Sequence, residues 1–297
     1  MLMLHKPVLL QEVLEFLDIK PDDKVFDGTL GSAGHAQAIV GIVSCKNYVA
    51  TDLDKEAIER AKSVLPEECH QNLFEDSFEN IDKVLHEKSW TCVNKVLLDL
   101  GWSQDQFELS GRGFSFAKDE PLVMSFKANP SKNDITAYDM INFWHEDTLA
   151  DIIEAFGEER FARRIARAIV ERRRKSKIKT SKELAEIVRE AIPARFKNKK
   201  IDPATKTFQA LRIATNQELE VLQRALDKLH DALCKNGRIA VISFHSLEDR
   251  IVKMKFKEWA KKGSGKLINK KVITASKEEL QKNKRARSAK LRVYEKI

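Results

Sequence analysis

The feature that most constrains the fold is a glycine-rich loop between a short apolar strand and a helix. Residues 24–27, KVFD, are predicted to form a buried strand, and the following loop carries Gly28, Gly31 and Gly34. Glycine lets the backbone approach a ligand closely, and the first turn of a helix offers unpaired N–H groups. A strand, a glycine loop and a helix in this order indicate a nucleoside-binding site on an α/β sheet.

Strands and helices alternate over the first hundred residues. Further strands are predicted at residues 47–52, 72–76 and 93–101, with helices between them at residues 55–65 and 77–88. This alternation is typical of a mostly parallel sheet covered by helices. The sequence therefore predicts an α/β, Rossmann-like fold.

The alternation is interrupted in the middle of the chain. From about residue 137 to residue 195 the pattern is helical only, and a strand reappears at residues 238–246. We therefore predict a discontinuous α/β domain, residues 1–112 and 206–297, with an inserted helical domain at residues 113–205. The insert has the size of a small domain.

Acidic residues favour a cationic cofactor. Asp52 ends the second predicted strand, 21 positions after Gly31, about where an acidic residue commonly binds the ribose of a nucleoside. The loop is spaced G-x-x-G-x-x-G rather than G-x-G-x-x-G, and Asp27 before it would repel a pyrophosphate. Aspartates recur at or near the carboxyl ends of the predicted strands: Asp27, Asp52, Asp54, Asp76 and Asp99. This pattern favours S-adenosylmethionine, a sulfonium, over a nicotinamide dinucleotide.

The charge pattern favours a nucleic-acid partner. The formal net charge is +8 and the pI is about 9.1. Residues 157–177 hold nine Lys/Arg, and residues 261–292 hold twelve against two acids. Such segments suit phosphate contacts, which position RNA without reading its sequence. The candidate RNA-binding residues are Arg163, Arg164, Arg167, Arg172, Arg173, Arg285 and Arg287.

Cysteine and hydropathy patterns point to a cytoplasmic protein. No two of Cys45, Cys69, Cys92 and Cys234 form a C-x-x-C pair, and none has a histidine at metal-ligand spacing. We therefore expect reduced thiols and no metal site. No stretch approaches the roughly 18 apolar residues of a membrane span. The sequence does not specify an oligomeric state.

Several long blocks resemble one known family. In chain order they are DGTLGSAGH, ATDLD, LLDLGWSQDQ, RGFSF, GEERFARRIARAIVER, PATKTFQALRIATNQEL, ISFHSLEDRIVK and RARSAKLR. They resemble the bacterial 16S rRNA (cytosine-N4)-methyltransferase family, of RsmH/MraW type, from about His5 to Arg292. The resemblance implies a class I S-adenosylmethionine-dependent methyltransferase fold with an inserted helical domain. It also implies methylation of a cytosine N4 in the decoding (P-site) region of 16S rRNA, in the small ribosomal subunit.

The resemblance also assigns site residues. Its cofactor positions fall on Ala33, Gly34, His35, Asp52, Phe78, Asp99 and Gln106. The cytosine amino group is a poor nucleophile, so a site must accept its hydrogen bonds and its proton. Asp99, ending the central strand, and His245, following a later strand, are the candidate catalytic residues.

The chain departs from the usual family pattern at a few positions. Ser32 and Ala33 stand where the family usually has arginine and glycine, and Val123 and Ser125 stand where it usually has aspartate and arginine. These replacements leave open an RNA- and cofactor-binding protein with impaired catalysis. An NAD-dependent oxidoreductase is a third interpretation, disfavoured by the glycine spacing and the basic segments.

Overall fold

The structure is a computed structural model that describes residues 7–101, 110–196 and 201–297. The chain divides into two compact units. The first comprises Met1–Gly101 with Leu219–Ile297, and the second comprises Trp102–Glu218. The second unit includes the whole of the predicted insert.

A seven-stranded sheet forms the centre of the first unit. Its strands are β1 (Val25–Asp27), β2 (Tyr48–Asp52), β3 (Leu73–Glu75), β4 (Val93–Asp99), β5 (Leu233–Ser243), β6 (Gly265–Leu267) and β7 (Lys290–Lys296). Their order is β3-β2-β1-β4-β5-β7-β6. Strands β1 to β5 run parallel, whereas β7 is antiparallel to both of its neighbours. This is the sheet of a class I methyltransferase, so the predicted fold class is confirmed.

Helices cover both faces of the sheet. They are α1 (Leu10–Leu17), α2 (Gly34–Val40), α3 (Lys55–Lys62), α4 (Ile81–Glu87), α10 (Glu218–Ala232), α11 (Ser246–Lys261) and α12 (Lys277–Lys282). Alternate strand residues enter different cores: Val25 and Leu97 pack with α1, α2 and α3, while Phe26 and Leu98 pack with α4, α10 and α11. Burial on both faces explains why these strands are continuously apolar.

The second unit is helical. Its helices are α5 (Ala137–Phe143), α6 (Glu146–Gly157), α7 (Ala162–Lys175), α8 (Ser181–Ala191) and α9 (Thr205–Asn216). Thr136 and Thr180 begin α5 and α8 with capping boxes, in which the side chains of Asp139 and Glu183 return the hydrogen bond. Within the described residues, no helix combines the length and apolar character needed to cross a membrane.

The cysteines are paired, so the expectation of reduced thiols is wrong. Cys45 is joined to Cys69, and Cys92 is joined to Cys234. The first pair precedes the adjacent strands β2 and β3, and the second lies at the start of the adjacent strands β4 and β5. The absence of a C-x-x-C motif excludes a local pair but carries no information about partners 24 or 142 residues apart.

Candidate functional site

Asp52 holds the glycine loop in place. Its Oδ2 accepts a hydrogen bond from the Gly31 N–H at 2.8 Å, and its Oδ1 accepts one from the Asp54 N–H at 2.9 Å. Gly31 has a φ of 52°, a left-handed conformation that glycine adopts without a Cβ penalty. The predicted pairing of loop and acidic residue therefore exists as a direct contact. Each Asp52 oxygen keeps a lone pair for a ligand hydroxyl.

Gly28 is required by close packing at the end of β1. A Cβ at this position would lie 2.5 Å from Leu98 Cδ2 and 2.7 Å from Phe78 Cβ. The Gly28 N–H donates to the Leu97 carbonyl of β4 at 2.9 Å. Phe78, whose role came from the resemblance, thus lies directly against the glycine loop.

Ala33 and Gly34 form the junction between the loop and α2. Ala33 adopts a left-handed conformation with a φ of 59°, although it is not glycine. Its N–H donates to the Leu30 carbonyl at 2.8 Å. This N–H, at a position that the resemblance assigns to the cofactor, is therefore engaged within the loop, and Gly34 is the first residue of α2.

His35 connects the loop to Asp99. Its Nε2 lies 3.0 Å from the Val8 carbonyl, and its Nδ1 lies 3.6 Å from Asp99 Oδ2. The Asp99 N–H donates to the Thr29 hydroxyl at 2.6 Å. Asp99 Oδ1 is buried and has no hydrogen-bond partner among the described residues. An unpartnered buried carboxylate oxygen is costly unless a ligand or solvent group donates to it.

Burial raises the pKa of three carboxyl groups at this sheet edge. The pKa of Asp99 rises to about 8, since burial and the nearby charge of Asp27 disfavour its ionised form. Burial raises the pKa values of Asp27 and Asp52 to about 6 each. Hydrogen bonds from the Thr29 N–H and the Tyr48 hydroxyl oppose this rise at Asp27. Three carboxyls that resist ionisation at one edge favour a cationic ligand.

These residues fit S-adenosylmethionine. Its sulfonium and ammonium charges would lower the free energy of the ionised carboxyls, and an ammonium could donate to the Asp99 carboxylate. Asp52, at the end of β2, is suited to ribose hydroxyls. Of the predicted cofactor residues, Gln106 lies outside the described residues.

His245 is the N-cap of α11. Its Nδ1 accepts from the Glu248 N–H at 3.4 Å, and the Glu248 carboxylate accepts from the Phe244 N–H at 2.9 Å. Its Nε2 lies 3.1 Å from Glu248 Oε1. These contacts give His245 a structural role at the start of the helix. The negative charge of Glu248 also raises the pKa of Asp99, so the cap lies close to Asp99.

Arg285 and Arg287, the two predicted RNA-binding residues of the C-terminal segment, differ in position. Burial raises the pKa of Asp99, and the positive charge of Arg285 opposes this rise. Arg285 therefore lies near the carboxyl ends of the strands. Arg287 is exposed. Between them Ala286 is buried and anchors the segment in the core of the first unit.

A basic groove lies between α7 and α8 in the second unit. Its volume is about 720 Å³. It is lined by Arg163, Arg164, Arg167, Ala168, Glu171, Arg172, Lys175, Ile187, Glu190 and Ala191. Of the five predicted RNA-binding arginines on α7, four line this groove.

Arg173 faces the other way. Its guanidinium donates to the Ile141 carbonyl at 2.7 Å and to the Trp144 carbonyl at 2.6 Å, at the end of α5. Burial lowers the pKa of Arg173. We therefore assign Arg173 to the packing of the second unit rather than to the RNA surface. The sequence could have placed Arg173 on the buried face of α7, since it continues the four-residue spacing of Phe161, Ile165 and Ile169.

Two of the positions that depart from the family pattern, Val123 and Ser125, lie in a tightly bonded segment of the second unit. Arg112 Nη1 donates to the Ser125 carbonyl at 3.1 Å and to the Phe126 carbonyl at 2.7 Å. Ser125 is buried, and its hydroxyl accepts from the Lys127 N–H at 3.1 Å. The Val123 carbonyl accepts from the Ala137 N–H. This serine serves local backbone geometry.

Sequence reasoning missed the residues that orient Asp27 and Asp99 at the carboxyl ends of their strands. Thr29 links Asp27 and Asp99, because its N–H donates to the first and its hydroxyl accepts from the second. Tyr48, at the start of β2, donates to Asp27 Oδ2 at 3.1 Å. Thr29 could have been found as a hydroxyl inside the glycine loop, whereas nothing in the sequence indicates the Tyr48 contact.

Comparisons with known proteins find similar sequences along nearly the whole chain. The model of the MraW methylase family matches residues 2–297. A protein of Clostridium botulinum (strain Kyoto / Type A2) named "Ribosomal RNA small subunit methyltransferase H" is 42% identical over 309 residues, with 99% of each chain covered. A protein of the same name from Sulfurihydrogenibium sp. (strain YO3AOP1) is 43% identical over 294 residues, with 99% of each chain covered. The crystal structure of an rRNA methylase from Streptococcus thermophilus is 11% identical, covers 97% of this chain and 93% of its own, and has a TM-score of 0.45.

Proposed function

The chain belongs to the MraW methylase family, and from that membership we propose that it methylates the N4 amino group of a cytosine in small-subunit ribosomal RNA. The donor is S-adenosylmethionine. The proposed target lies in the decoding (P-site) region of 16S rRNA, within the small ribosomal subunit in the cytoplasm. The relatives carry the name of a small-subunit rRNA methyltransferase, and the choice of cytosine N4 follows the resemblance of the sequence blocks.

The observation that best supports this function is the state of Asp99. Its Oδ1 is buried without a partner among the described residues, at the carboxyl end of the central strand. Ligands of open α/β sheets bind at that edge. We assign Asp99 Oδ1 to accept a hydrogen bond from the cytosine amino group, which directs the nitrogen lone pair towards the methyl donor.

The chemistry requires a proton acceptor. The cofactor supplies a methyl group carried on a positively charged sulfur, and the amino nitrogen gives up a proton when its new N–C bond forms. Asp99 can take that proton once it is ionised, and His35 Nδ1 lies 3.6 Å from Asp99 Oδ2. Because the geometry of His245 is that of a cap, we give it no proton-transfer role.

A base paired in an rRNA helix must be turned out before its amino group reaches such a pocket. Arg285 and Arg287, on the C-terminal segment, are proposed to contact the phosphates beside the target nucleotide. The positive charge of Arg285 acts on Asp99 itself. We propose no metal in this chemistry, and full activity after treatment with a chelator is the expected result.

The deciding experiment identifies the labelled nucleoside. Protein is incubated with methyl-labelled S-adenosylmethionine and small ribosomal subunits that lack the modification, and the RNA is then digested. Labelled N4-methylcytidine supports the proposal. Label in another nucleoside overturns the substrate assignment, and cofactor binding without any transfer favours the impaired binding protein.

Two aspartate variants sharpen the assay. Asp99→Asn removes the proton acceptor and is expected to lower kcat by about 100-fold or more. Asp22→Asn makes the same chemical change at an exposed position before β1, at the opposite edge of the sheet, and leaves kcat unchanged. Equal activity of the two variants contradicts the role of Asp99.

A further inference from the structure

Most cations of the α7–α8 groove have no carboxylate partner among the described residues. Five cationic side chains line it against the two carboxylates of Glu171 and Glu190. Within the described residues, no carboxylate pairs with Arg163, Arg164 or Arg172. Arg167 pairs with Glu146 at 3.6 Å, but both side chains are exposed, so the pair is weak. Free guanidinium groups of this kind bind phosphate oxygens in pairs.

An aromatic and guanidinium stack adjoins the groove. The Arg160 guanidinium lies 4.2 Å from the centroid of the Phe196 ring, and the Arg195 guanidinium lies 4.7 Å from it. The Phe161 ring centroid lies 5.2 Å from that of Phe196. Phe161 is the N-cap of α7, and residues 194–196 follow α8, so the stack lies where the first turn of α7 meets the end of α8.

The stack is accessible from solvent. Phe196 is 39% exposed, a high value for a large apolar side chain in contact with other rings. Unpaired nucleobases stack on aromatic rings and on arginine planes, and this stacking depends little on base identity. A base inside a duplex presents no free face to such a stack.

We propose that the α7–α8 groove and the Arg160–Phe196–Arg195 stack bind one single-stranded segment of the RNA substrate, with phosphates on the groove arginines and an unpaired base on the stack. The proposal rests on the proposed function for the identity of the RNA. It adds a second RNA-binding site, on the helical unit and built from residues other than those at the cofactor edge. It also predicts that the bound RNA is unpaired at that site.

The phosphate part is tested by fluorescence anisotropy with a short labelled single-stranded oligoribonucleotide in a salt titration. Arg163→Gln/Arg164→Gln removes two contacts, so the slope of log affinity against log salt falls by about 1.4, since each contact on a single strand contributes about 0.7. Lys253→Gln/Lys257→Gln removes the same charge from exposed positions on α11 and is the matched control. An equal loss in both double variants overturns the groove as a specific site.

The stacking part uses an oligoribonucleotide that carries 2-aminopurine, whose fluorescence is quenched when the base stacks. Wild-type protein is expected to change this fluorescence, and Phe196→Leu is expected to abolish the change and to weaken binding about tenfold. Phe143→Leu is the control, because Phe143 is 60% exposed and also lies near a cation, Lys177, but is not among the residues that line the groove. Tighter binding of a duplex than of the single strand, with no effect of Phe196→Leu, overturns the proposal.

The two proposals fail separately. Oligoribonucleotide binding is measured without cofactor, so the groove assignment stands even when no methyl transfer is found. Conversely, an Arg163→Gln/Arg164→Gln variant that methylates small subunits with unchanged KM and kcat overturns the groove while the methyltransferase stands. Thermal unfolding of each variant, expected to match the wild type, shows that lost binding reflects lost contacts.

Discussion

His35 Nδ1 lies 3.6 Å from Asp99 Oδ2, while the Nε2 of the same ring lies 3.0 Å from the Val8 carbonyl. A carbonyl only accepts, so Nε2 carries a proton and Nδ1 is the acceptor in the neutral ring. Burial raises the pKa of Asp99 to about 8, so at neutral pH this carboxyl beside Nδ1 is largely protonated. The N-terminal segment thus fixes the tautomer of a histidine at the cofactor edge.

This pair predicts pH-dependent cofactor binding. A cationic ligand favours ionised carboxyls, so its binding releases the proton of Asp99 and part of those of Asp27 and Asp52. Affinity for S-adenosylmethionine should therefore rise as the pH increases from about 6 to about 8 and level off above that range. Calorimetry in two buffers of different ionisation enthalpy measures the released protons.

The Asp99→Asn variant tests whether Asp99 is a source of the protons released on cofactor binding. The variant should bind the cofactor about 10- to 100-fold more weakly, since a hydrogen bond to a charged group is lost. It should also lose most of the pH dependence above about pH 7, because Asp99 alone of the three has a pKa near 8. Unchanged proton release in Asp99→Asn contradicts the assignment.

The capping geometry of His245 predicts a stability effect without a catalytic one. His245→Ala removes the acceptor for the Glu248 N–H and should lower the free energy of unfolding by about 1 kcal/mol. His245→Asn keeps a capping oxygen and should recover most of that loss, with kcat near the wild-type value. Denaturant unfolding and single-turnover transfer measure the two effects. A stable His245→Asn protein with kcat reduced a hundredfold would assign the imidazole to the chemistry.

Close packing at Gly28 predicts that two glycines of one loop respond differently to alanine. Gly28→Ala would place its Cβ 2.5 Å from Leu98 Cδ2 and 2.7 Å from Phe78 Cβ, so it should cost about 1–3 kcal/mol and displace Phe78. Gly31→Ala meets no atom closer than 3.9 Å and should cost about 1–2 kcal/mol, through its positive φ alone. Cofactor affinity, measured on folded protein, should fall more for Gly28→Ala. The reverse order would contradict this packing.

The disulfides predict stability that is separate from activity. Both lie before or at the amino ends of their strands, whereas the proposed cofactor residues lie at the carboxyl ends. Cys92→Ser/Cys234→Ser should lower the free energy of unfolding by about 2–4 kcal/mol. Because its loop spans 142 residues rather than 24, this variant should lose more than Cys45→Ser/Cys69→Ser. Thermal unfolding with and without reductant tests the order, and kcat at low temperature should be unchanged.

The sequence predicted elements whose signal is local. The strands ending in Asp27, Asp52 and Asp99 were found because parallel strands buried on both faces are continuously apolar. Strand β6 was missed, because three residues, GKL, carry no periodicity and pair only through β7. The disulfides and the Val8–His35 contact were missed because they join residues far apart in sequence.

In the candidate site, too, the residues with a local sequence signal were predicted and the others were missed. Asp52 and Gly31 were predicted together because their spacing is a local rule of nucleoside sites. The left-handed Ala33 was not expected, since alanine carries no signal for a positive φ. The basic run on α7 was recognised as a surface, but composition alone did not separate an arginine that faces the core from its neighbours.

Arg172 and Arg173 are adjacent in sequence and provide the sharpest test of that separation. Arg172 lines the groove, whereas Arg173 donates to the Ile141 and Trp144 carbonyls. Arg172→Gln should weaken oligoribonucleotide binding and reduce its salt dependence, with an unchanged melting temperature. Arg173→Gln should lower the free energy of unfolding by about 2–4 kcal/mol, because two charge-assisted hydrogen bonds at the end of α5 are lost. RNA affinity of the folded Arg173→Gln protein should equal that of the wild type. Both variants remove one charge from one helix, so equal losses of RNA affinity would mean that net charge, rather than the groove, binds the RNA.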